Sequence, residues 1–167
     1  MLSSPASPAT VYLGLGSNLG DKQANIKQAL LYITERVGAM LALSDYYETP
    51  SWGYHSQELY QNIVVAVATG LAPEELLAVT QDIERTSGRR HKTIGNEYHD
   101  RVIDIDILLY DDRIIDTPTL TIPHPLMHRR AFVMQPMKQI APDIVHPVLH
   151  QTMEAIFSAG WGDTPSC

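Results

Sequence analysis

Two aspartates in an alternating segment carry the strongest chemical signal in the sequence. Residues 101–107 read Arg-Val-Ile-Asp-Ile-Asp-Ile. Side chains alternate between the two faces of a strand, so Asp104 and Asp106 share one face and the isoleucines share the other. Carboxylates roughly 7 Å apart along a strand can hold one hydrated metal ion or a pair, and Mg²⁺ fills its remaining positions with water and phosphate oxygens. The alternative is an amphipathic strand with a solvated polar face.

Positive charge is concentrated in two short groups, although the chain carries a net charge of −7 from 12 Lys and Arg against 19 Asp and Glu. This distribution favours a compact anionic ligand such as a nucleotide over general nucleic-acid binding. The alternative is a solvated charged loop. The first group precedes and enters the acidic segment, and the second follows it: Arg85, Arg89, Arg90, His91, Lys92 and Arg101, then His124, His128, Arg129 and Arg130.

A glycine-rich segment, residues 14–20, follows the first predicted strand and reads Gly-Leu-Gly-Ser-Asn-Leu-Gly. Glycines allow a backbone to approach a ligand closely. Leu19 occupies the place of the third glycine of the dinucleotide-binding motif, and no Gly-Lys-Ser/Thr follows, so neither that motif nor a phosphate-binding P-loop is present. The segment is therefore either a ligand-facing loop or a turn with a helix cap.

Aromatic and amide side chains form a fourth candidate group that could sandwich a flat heterocycle and bind its polar edge. Core aromatics and a strand-edge asparagine are the alternative reading of the same residues. The histidines lack the His-Glu-x-x-His spacing of a zinc site, and Ser17 lacks the context of a hydrolase nucleophile. The group consists of Thr49, Pro50, Trp52, Tyr60, Asn62 and Phe132.

The elements that must position these residues follow the order strand, helix, strand, strand, helix, strand. Apolar spacing predicts strands over residues 10–16, 41–49, 60–69 and 101–110, and helices over 21–37 and 73–88. This order predicts a ferredoxin-like α+β sandwich, in which helices pack on one face of a mainly antiparallel sheet. A hairpin is expected over residues 111–122, and short helices and turns over 125–161. We expect a single domain over residues 10–160 between tails 1–9 and 161–167.

Composition excludes several classes of protein. A chain of 167 residues with 44% hydrophobic and 19% charged residues is ordinary for one globular domain. The longest apolar run is too short for a membrane helix, and residues 1–10 lack the features of a secretory signal. Cys167 is the one cysteine, so neither an intrachain disulfide nor a cysteine-rich zinc site can form. We therefore expect a cytoplasmic protein that binds neither nucleic acid nor membrane.

The ordered set of these motifs resembles the 6-hydroxymethyl-7,8-dihydropterin pyrophosphokinase family of folate biosynthesis. The resemblance extends from about residue 11 to residue 157. It rests on the following segments and single residues, in this order along the chain: Gly16-Ser17-Asn18, Thr49-Pro50, Tyr60, Asn62, Gln81, Glu84, Gly88-Arg89, Arg101, Asp104-Ile105-Asp106, Pro123-His124, Arg130 and Phe132.

The resemblance implies a ferredoxin-like fold and transfer of the β,γ-pyrophosphate of ATP to the pterin hydroxymethyl group, with release of AMP. It implies two Mg²⁺ ions on Asp104 and Asp106 and ATP as co-substrate. We expect a monomer, and the sequence leaves an oligomer open. The catalytic residues would be Arg89, Lys92, Arg101, Asp104 and Asp106. The nucleotide would contact Gln81, Glu84, Arg89, His91, Lys92, Arg101, Ile107, Thr121, His124 and Arg130. The pterin would contact Thr49, Pro50, Trp52, Tyr60, Asn62, Asp104 and Phe132.

One segment departs from the family pattern. The family commonly has Gly-Arg-x-Arg before the acidic strand, whereas this chain has Gly-Arg-Arg-His-Lys at residues 88–92. The segment is also about two residues longer, and Tyr98 stands near the position of a family aromatic residue. Two other functions share some of these features: a ligand sensor without catalysis, and a metal-dependent phosphohydrolase that uses water. The first would bind a metabolite without turning over ATP, and the second would release phosphate without a pterin.

Overall fold

The computed structural model describes residues 7–49, 59–88 and 102–159. Within these residues, no helix is both long and apolar enough to cross a membrane. The elements follow one another as β1 (Ala9–Ser17), α1 (Lys22–Arg36), β2 (Gly38–Leu43), β3 (Tyr47–Thr49), β4 (Tyr60–Thr69), α2 (Pro73–Gly88), β5 (Asp104–Tyr110), β6 (Ile115–Asp116), β7 (Thr121–Ile122), a 3-10 turn (Met127–Arg129), α3 (Ala131–Ile140) and α4 (Met153–Ala159).

The main sheet has the strand order β2-β4-β1-β5, and β3 pairs with β4 next to the end of β2. Every neighbouring pair in this sheet is antiparallel. Strand β4 lies between β1 and β2, which the helix α1 connects, so the arrangement is the split β-α-β of ferredoxin-like folds. The predicted α+β sandwich with a mainly antiparallel sheet is confirmed.

Helices cover both faces of this sheet. On one face, α1 and α2 pack through residues such as Ile33 and Leu76 against the large hydrophobic cluster of the sheet. On the other face, α3 and α4 pack through Met134 and Met153 against a second cluster. The sequence predicts helices on one face only, which is wrong: the short helices expected over residues 125–161 are present and form a second layer on the other face. The helices of the second layer span 10 and 7 residues, and α3 contains Pro136, so their apolar period is too short to stand out.

The predicted strand over residues 41–49 is in fact two strands. Strand β2 begins at Gly38, directly after α1, and the chain leaves the ladder between Leu43 and Tyr47. Ser44 lies at this break, where its backbone N–H donates to the Val64 carbonyl and its hydroxyl accepts from the Val64 N–H. The break is therefore held against β4 by a buried side chain that competes with regular pairing.

Strand β5 begins at Asp104, three residues later than predicted, and Arg101 lies outside the described residues. The first four residues of β5 alternate between half-buried aspartates and buried isoleucines, as the sequence predicts. A bulge then shifts the pairing, because Tyr12 pairs with Leu109 while Leu13 pairs with Ile107. The regular alternation therefore ends beyond Ile107.

Candidate active site

Two glycines of the central strand β1 form the floor of a cavity. Gly16 lies between Asn62 of β4 and Asp104 of β5, and Gly14 lies between Val64 and Asp106. The cavity has a volume of about 190 Å³ and extends from the sheet to α3. Its lining residues include Thr49, Tyr60, Asn62, Ile63, Val64, Arg130, Phe132 and Val133.

A side chain at Gly16 would be tight against the residues that form this floor. A Cβ atom there would lie 3.0 Å from Asn62 Oδ1 and 3.3 Å from the Tyr60 ring. Gly14 and Gly16 lie within strand β1 rather than in a loop, and both line the cavity; that they face a ligand remains a prediction. The helix-cap reading holds for the following residues, since Asp21 accepts a hydrogen bond from the Ala24 N–H at the start of α1.

Asn62 is held in one orientation at the edge of the floor. Only 6% of its surface is exposed. Its Nδ2 donates to Thr49 Oγ1 at 2.9 Å and to the Tyr47 carbonyl at 3.4 Å. The carbonyl can only accept, so the amide nitrogen must point toward β3 and the amide oxygen toward Gly16. Asn62 thus presents a hydrogen-bond acceptor beside the cavity floor.

Asp104 and Asp106 both line this cavity from β5, and both are half-buried. Arg130 approaches from the start of α3, with its Nη1 3.9 Å from Asp106 Oδ2. The same guanidinium lies 5.5 Å from the centre of the Phe132 ring, within the range of a cation–π contact. Carboxylate and guanidinium groups therefore meet beside an aromatic wall.

The carboxylate pair fits a hydrated Mg²⁺ ion. Mg²⁺ prefers oxygen ligands, usually takes only one or two carboxylates from a protein, and keeps water or phosphate oxygens in its other positions. In the part of the chain that the structure describes, no group of three or more His, Cys, Asp and Glu could hold a metal ion. Asp104 and Asp106 therefore match the partial protein coordination of Mg²⁺ better than the closed set of a structural metal.

A second cavity lies on the other side of β5, between that strand and α2. It has a volume of about 330 Å³. Among the described residues, Asp106 alone lines both cavities. The second cavity also contains most of the described nucleotide residues that the resemblance implies, namely Gln81, Glu84, Ile107, Thr121 and His124. Arg130, the remaining described residue of the predicted nucleotide set, instead lines the first cavity with the predicted pterin residues. The two cavities meet at the Asp106 carboxylate.

Glu84 has a structural contact within this second cavity. Its Oε2 accepts a hydrogen bond of 2.7 Å from the backbone N–H of Ile105. Strand β5 is the edge of the sheet, so this N–H lies outside the β-ladder with β1. The carboxylate therefore fixes the strand between Asp104 and Asp106.

His124 enters the second cavity as an uncharged group at neutral pH. Burial, together with the positive charge of Arg130, lowers the pKa of His124 to about 4. Its Nδ1 accepts a hydrogen bond of 3.1 Å from the Leu126 N–H, so Nε2 carries the proton. His124 can therefore donate a hydrogen bond to a phosphate, but at neutral pH this geometry does not add a positive charge.

Comparison with known proteins decides the family of this chain. The profile of the 7,8-dihydro-6-hydroxymethylpterin-pyrophosphokinase family matches residues 12–142. The chain belongs to this pyrophosphokinase family. A 2-amino-4-hydroxy-6-hydroxymethyldihydropteridine pyrophosphokinase of Porphyromonas gingivalis is 47% identical over 140 residues, which cover 83% of this chain and 95% of that protein. The protein of the same name from Aquifex aeolicus is 38% identical over 146 residues, which cover 87% and 89% of the two chains.

The fold agrees with a solved member of the pyrophosphokinase family. The crystal structure of Plasmodium falciparum HPPK-DHPS with pteroate superimposes with a TM-score of 0.73 at 18% identity. The match covers 95% of this chain and 43% of that one, so this chain spans less than half the length of its structural neighbour.

Several residues that the resemblance assigns to the pyrophosphokinase site lie outside the described part of the chain. They are Pro50, Trp52, Arg89, His91, Lys92 and Arg101, together with Arg90 and Tyr98 of the segment that departs from the family pattern. Their assignments remain predictions, as does the division into tails and a single domain.

Sequence reasoning also missed part of the cavity wall. Val64 and Val133 line it, and neither belongs to a motif. The period of β4 could have indicated Val64, which is two residues from Asn62 and so shares its face of the sheet. Val133 has no comparable signal, because its position depends on how α3 packs.

Proposed function

We propose that this chain transfers the β,γ-pyrophosphate of ATP to the hydroxymethyl group of 6-hydroxymethyl-7,8-dihydropterin. Family membership over residues 12–142 supports the reaction class. The observation that carries the proposal for this chain is that two cavities adjoin at Asp106. A transfer between two substrates requires two binding spaces that share a reactive boundary.

In the proposed reaction, the hydroxymethyl oxygen attacks the β-phosphorus and forms a new O–P bond. The bond between this phosphorus and the oxygen that bridges it to the α-phosphorus breaks, and that oxygen leaves with AMP. The hydroxyl proton is released as the new bond forms. No dedicated general base is evident among the described residues; Asp104 or Asp106, which line the pterin cavity, would accept this proton.

We assign the cavity on the α3 side to the pterin. Tyr60 and Phe132 supply aromatic surfaces, and Asn62 offers its amide oxygen to an N–H group of the heterocycle. We assign the cavity beside α2 to the nucleotide, where Gln81 and Thr121 offer polar groups and His124 donates from Nε2. Arg130 supports this division, because its guanidinium lies beside Asp106 at the boundary.

Asp104 and Asp106 would hold Mg²⁺, which when bound neutralises phosphate charge and polarises the P–O bonds. Arg89, Lys92 and Arg101 complete the proposed catalytic set, with His91 on the nucleotide; these assignments rest on the resemblance. Pro50 and Trp52 are assigned to the pterin on the same ground. A monomer as the active unit likewise remains a prediction.

The decisive experiment measures AMP release from ATP and Mg²⁺, with and without 6-hydroxymethyl-7,8-dihydropterin. We expect AMP only when the pterin is present, together with the pterin pyrophosphate in equal amount. Phosphate release without pterin would instead identify a phosphohydrolase. Pterin binding without AMP would identify a binding protein, and the absence of both would refute the proposal.

A further inference from the structure

A polar contact outside both cavities joins α3 to the connection between β2 and β3. Gln139, near the end of α3, accepts hydrogen bonds from the Asp45 N–H at 2.8 Å and from the Tyr47 hydroxyl at 2.9 Å. Its Nε2 donates to Asp45 Oδ2 at 2.9 Å. The oxygen and the nitrogen of the Gln139 amide are thus both hydrogen-bonded. We call Asp45, Tyr47 and Gln139 the Gln139 clamp.

The segment held by the clamp leads directly into the cavity. Ser44, the residue before Asp45, is already fixed to β4 through Val64. Strand β3 begins at Tyr47, a member of the clamp, and ends at Thr49, which lines the cavity. Thr49 in turn accepts the hydrogen bond that orients Asn62. The clamp therefore acts on the strand that orients the proposed pterin acceptor.

The N-terminal end of α3 contributes residues to the wall of the cavity that faces β3. Phe132 and Val133 line the cavity from the first turn of this helix, and Arg130 lines it from the residue before. The 10-residue helix is about 15 Å long. Its buried residues Met134 and Met137 seat it on the sheet between the two ends. One rigid element thus carries cavity residues at its start and the clamp near its end.

We propose that Gln139 is a positioning residue that sets the affinity for the pterin without touching it. This inference rests on the proposed function. The clamp fixes β3 relative to α3, and so fixes the spacing between the Thr49–Asn62 pair and Phe132. Without it, the remaining hydrogen bonds that the structure describes for β3 all join it to β4, and the binding-competent spacing between β3 and α3 is less populated. A lower competent population weakens the apparent affinity in proportion.

The first experiment compares ligand affinities of Gln139→Ala and the unmodified protein by calorimetry. We expect the dissociation constant for 6-hydroxymethyl-7,8-dihydropterin to rise about tenfold, because three hydrogen bonds are lost together. The dissociation constant for a non-hydrolysable ATP analogue with Mg²⁺ should stay within about twofold, since α2 and β5 are not part of the clamp. Gln135→Ala, an exposed glutamine of the same helix, serves as the matched control and should change neither constant.

A charge swap separates positioning from loss of folding. Gln139→Glu keeps the acceptor oxygen but places a carboxylate against Asp45, so it should also weaken pterin binding. Adding Asp45→Asn supplies an amide donor to the new carboxylate and should return the pterin dissociation constant to within about threefold of the original. Asp45→Asn alone should have little effect, because its amide oxygen can replace the carboxylate oxygen as acceptor.

The inference is wrong if Gln139→Ala binds the pterin as tightly as the unmodified protein. It is also wrong if both ligands weaken equally and the swap restores neither, since that pattern indicates general loss of structure. In both cases the unmodified protein still binds the pterin, so the proposed function survives. Failure of the unmodified protein to bind the pterin would overturn the proposed function itself.

Discussion

The two carboxylates of β5 differ in what they border. Asp104 lines the cavity on the α3 side alone, whereas Asp106 lines both cavities and lies near Arg130. In the proposed reaction, both aspartates supply negative charge that holds Mg²⁺ against the phosphates. Replacing either with an amide of the same shape removes charge and leaves the packing of the strand intact.

We therefore expect Asp104→Asn and Asp106→Asn each to lower pterin-dependent AMP formation by roughly 10³-fold or more, because charge at the transition state is lost. Thermal unfolding should remain close to that of the unmodified protein. Initial rates at saturating Mg²⁺ measure the effect, and the exposed Asp112→Asn provides the control. Near-normal turnover by either variant would contradict the metal-binding role.

Gly16 is the second residue whose identity we expect to affect binding of the pterin. A Cβ atom would lie 3.0 Å from Asn62 Oδ1, so in Gly16→Ala the Asn62 amide has to shift by a few tenths of an ångström. We expect the dissociation constant for the pterin to rise at least about tenfold, because a buried hydrogen-bonding group loses its position. Calorimetry measures this, and Gly70→Ala, where a Cβ would meet nothing within 4 Å, is the control. Unchanged affinity would show that Asn62 does not contact the ligand.

At the scale of elements, β5 depends on α2 for its position. The Glu84 carboxylate accepts the Ile105 N–H on the unpaired edge of the strand. Glu84→Ala leaves this N–H without its acceptor, and we expect the free energy of unfolding to fall by about 1.5–3 kcal/mol. Glu84→Gln keeps an acceptor oxygen and should lose clearly less. Urea denaturation compares the two variants, and equal losses would show that the hydrogen bond is unimportant.

Which elements the sequence predicts depends on how local their causes are. The apolar run of β4 reflects burial on both faces of the sheet, and the alternation over residues 104–107 reflects burial on one face. Each pattern is visible in the order of residues along the chain. The break before β3 was not predicted, because it depends on Ser44 meeting Val64, 20 residues away. Likewise, the layer of α3 and α4 depends on tertiary packing of helices too short to show a clear period.

The candidate site shows the same division. The motifs predicted Asp104, Asp106 and Asn62, whose residue types carry the chemistry. The sequence did not predict that Gly14 and Gly16 form a floor between them, since this follows from the pairing of β1 with two distant strands. The charge state of His124 could not be predicted from the sequence either, because it results from burial beside Arg130.

At the scale of the whole molecule, His146 links pH to stability. This buried residue lies between α3 and α4, where its Nδ1 accepts hydrogen bonds from the Val148 and Leu149 N–H groups. Burial, with smaller contributions from His128 and His150, lowers its pKa from 6.5 to about 4. Between these two values the unfolded chain binds more protons than the folded chain. The free energy of unfolding therefore falls as pH is lowered through this range.

We expect His146→Asn to remove part of this pH dependence, because the amide oxygen can accept the same hydrogen bonds and does not titrate. The unmodified protein should lose roughly 1–2 kcal/mol more than the variant between pH 7.5 and pH 5. Urea denaturation at both pH values tests this, and the exposed His150→Asn should behave like the unmodified protein. Equal pH slopes for all three proteins would exclude His146 as the source.

The position of Asp106 between two cavities also has a thermodynamic consequence. A carboxylate that borders both spaces experiences the charge and the desolvation brought by either occupant. Occupancy of one cavity therefore changes the free energy of filling the other, and the two changes must be equal. Whatever factor the nucleotide imposes on pterin affinity, the pterin imposes on nucleotide affinity. Under the proposed assignment of the two cavities, Asp106 would make the two halves of the site a single linked binding unit, in which neither ligand has an affinity independent of the other.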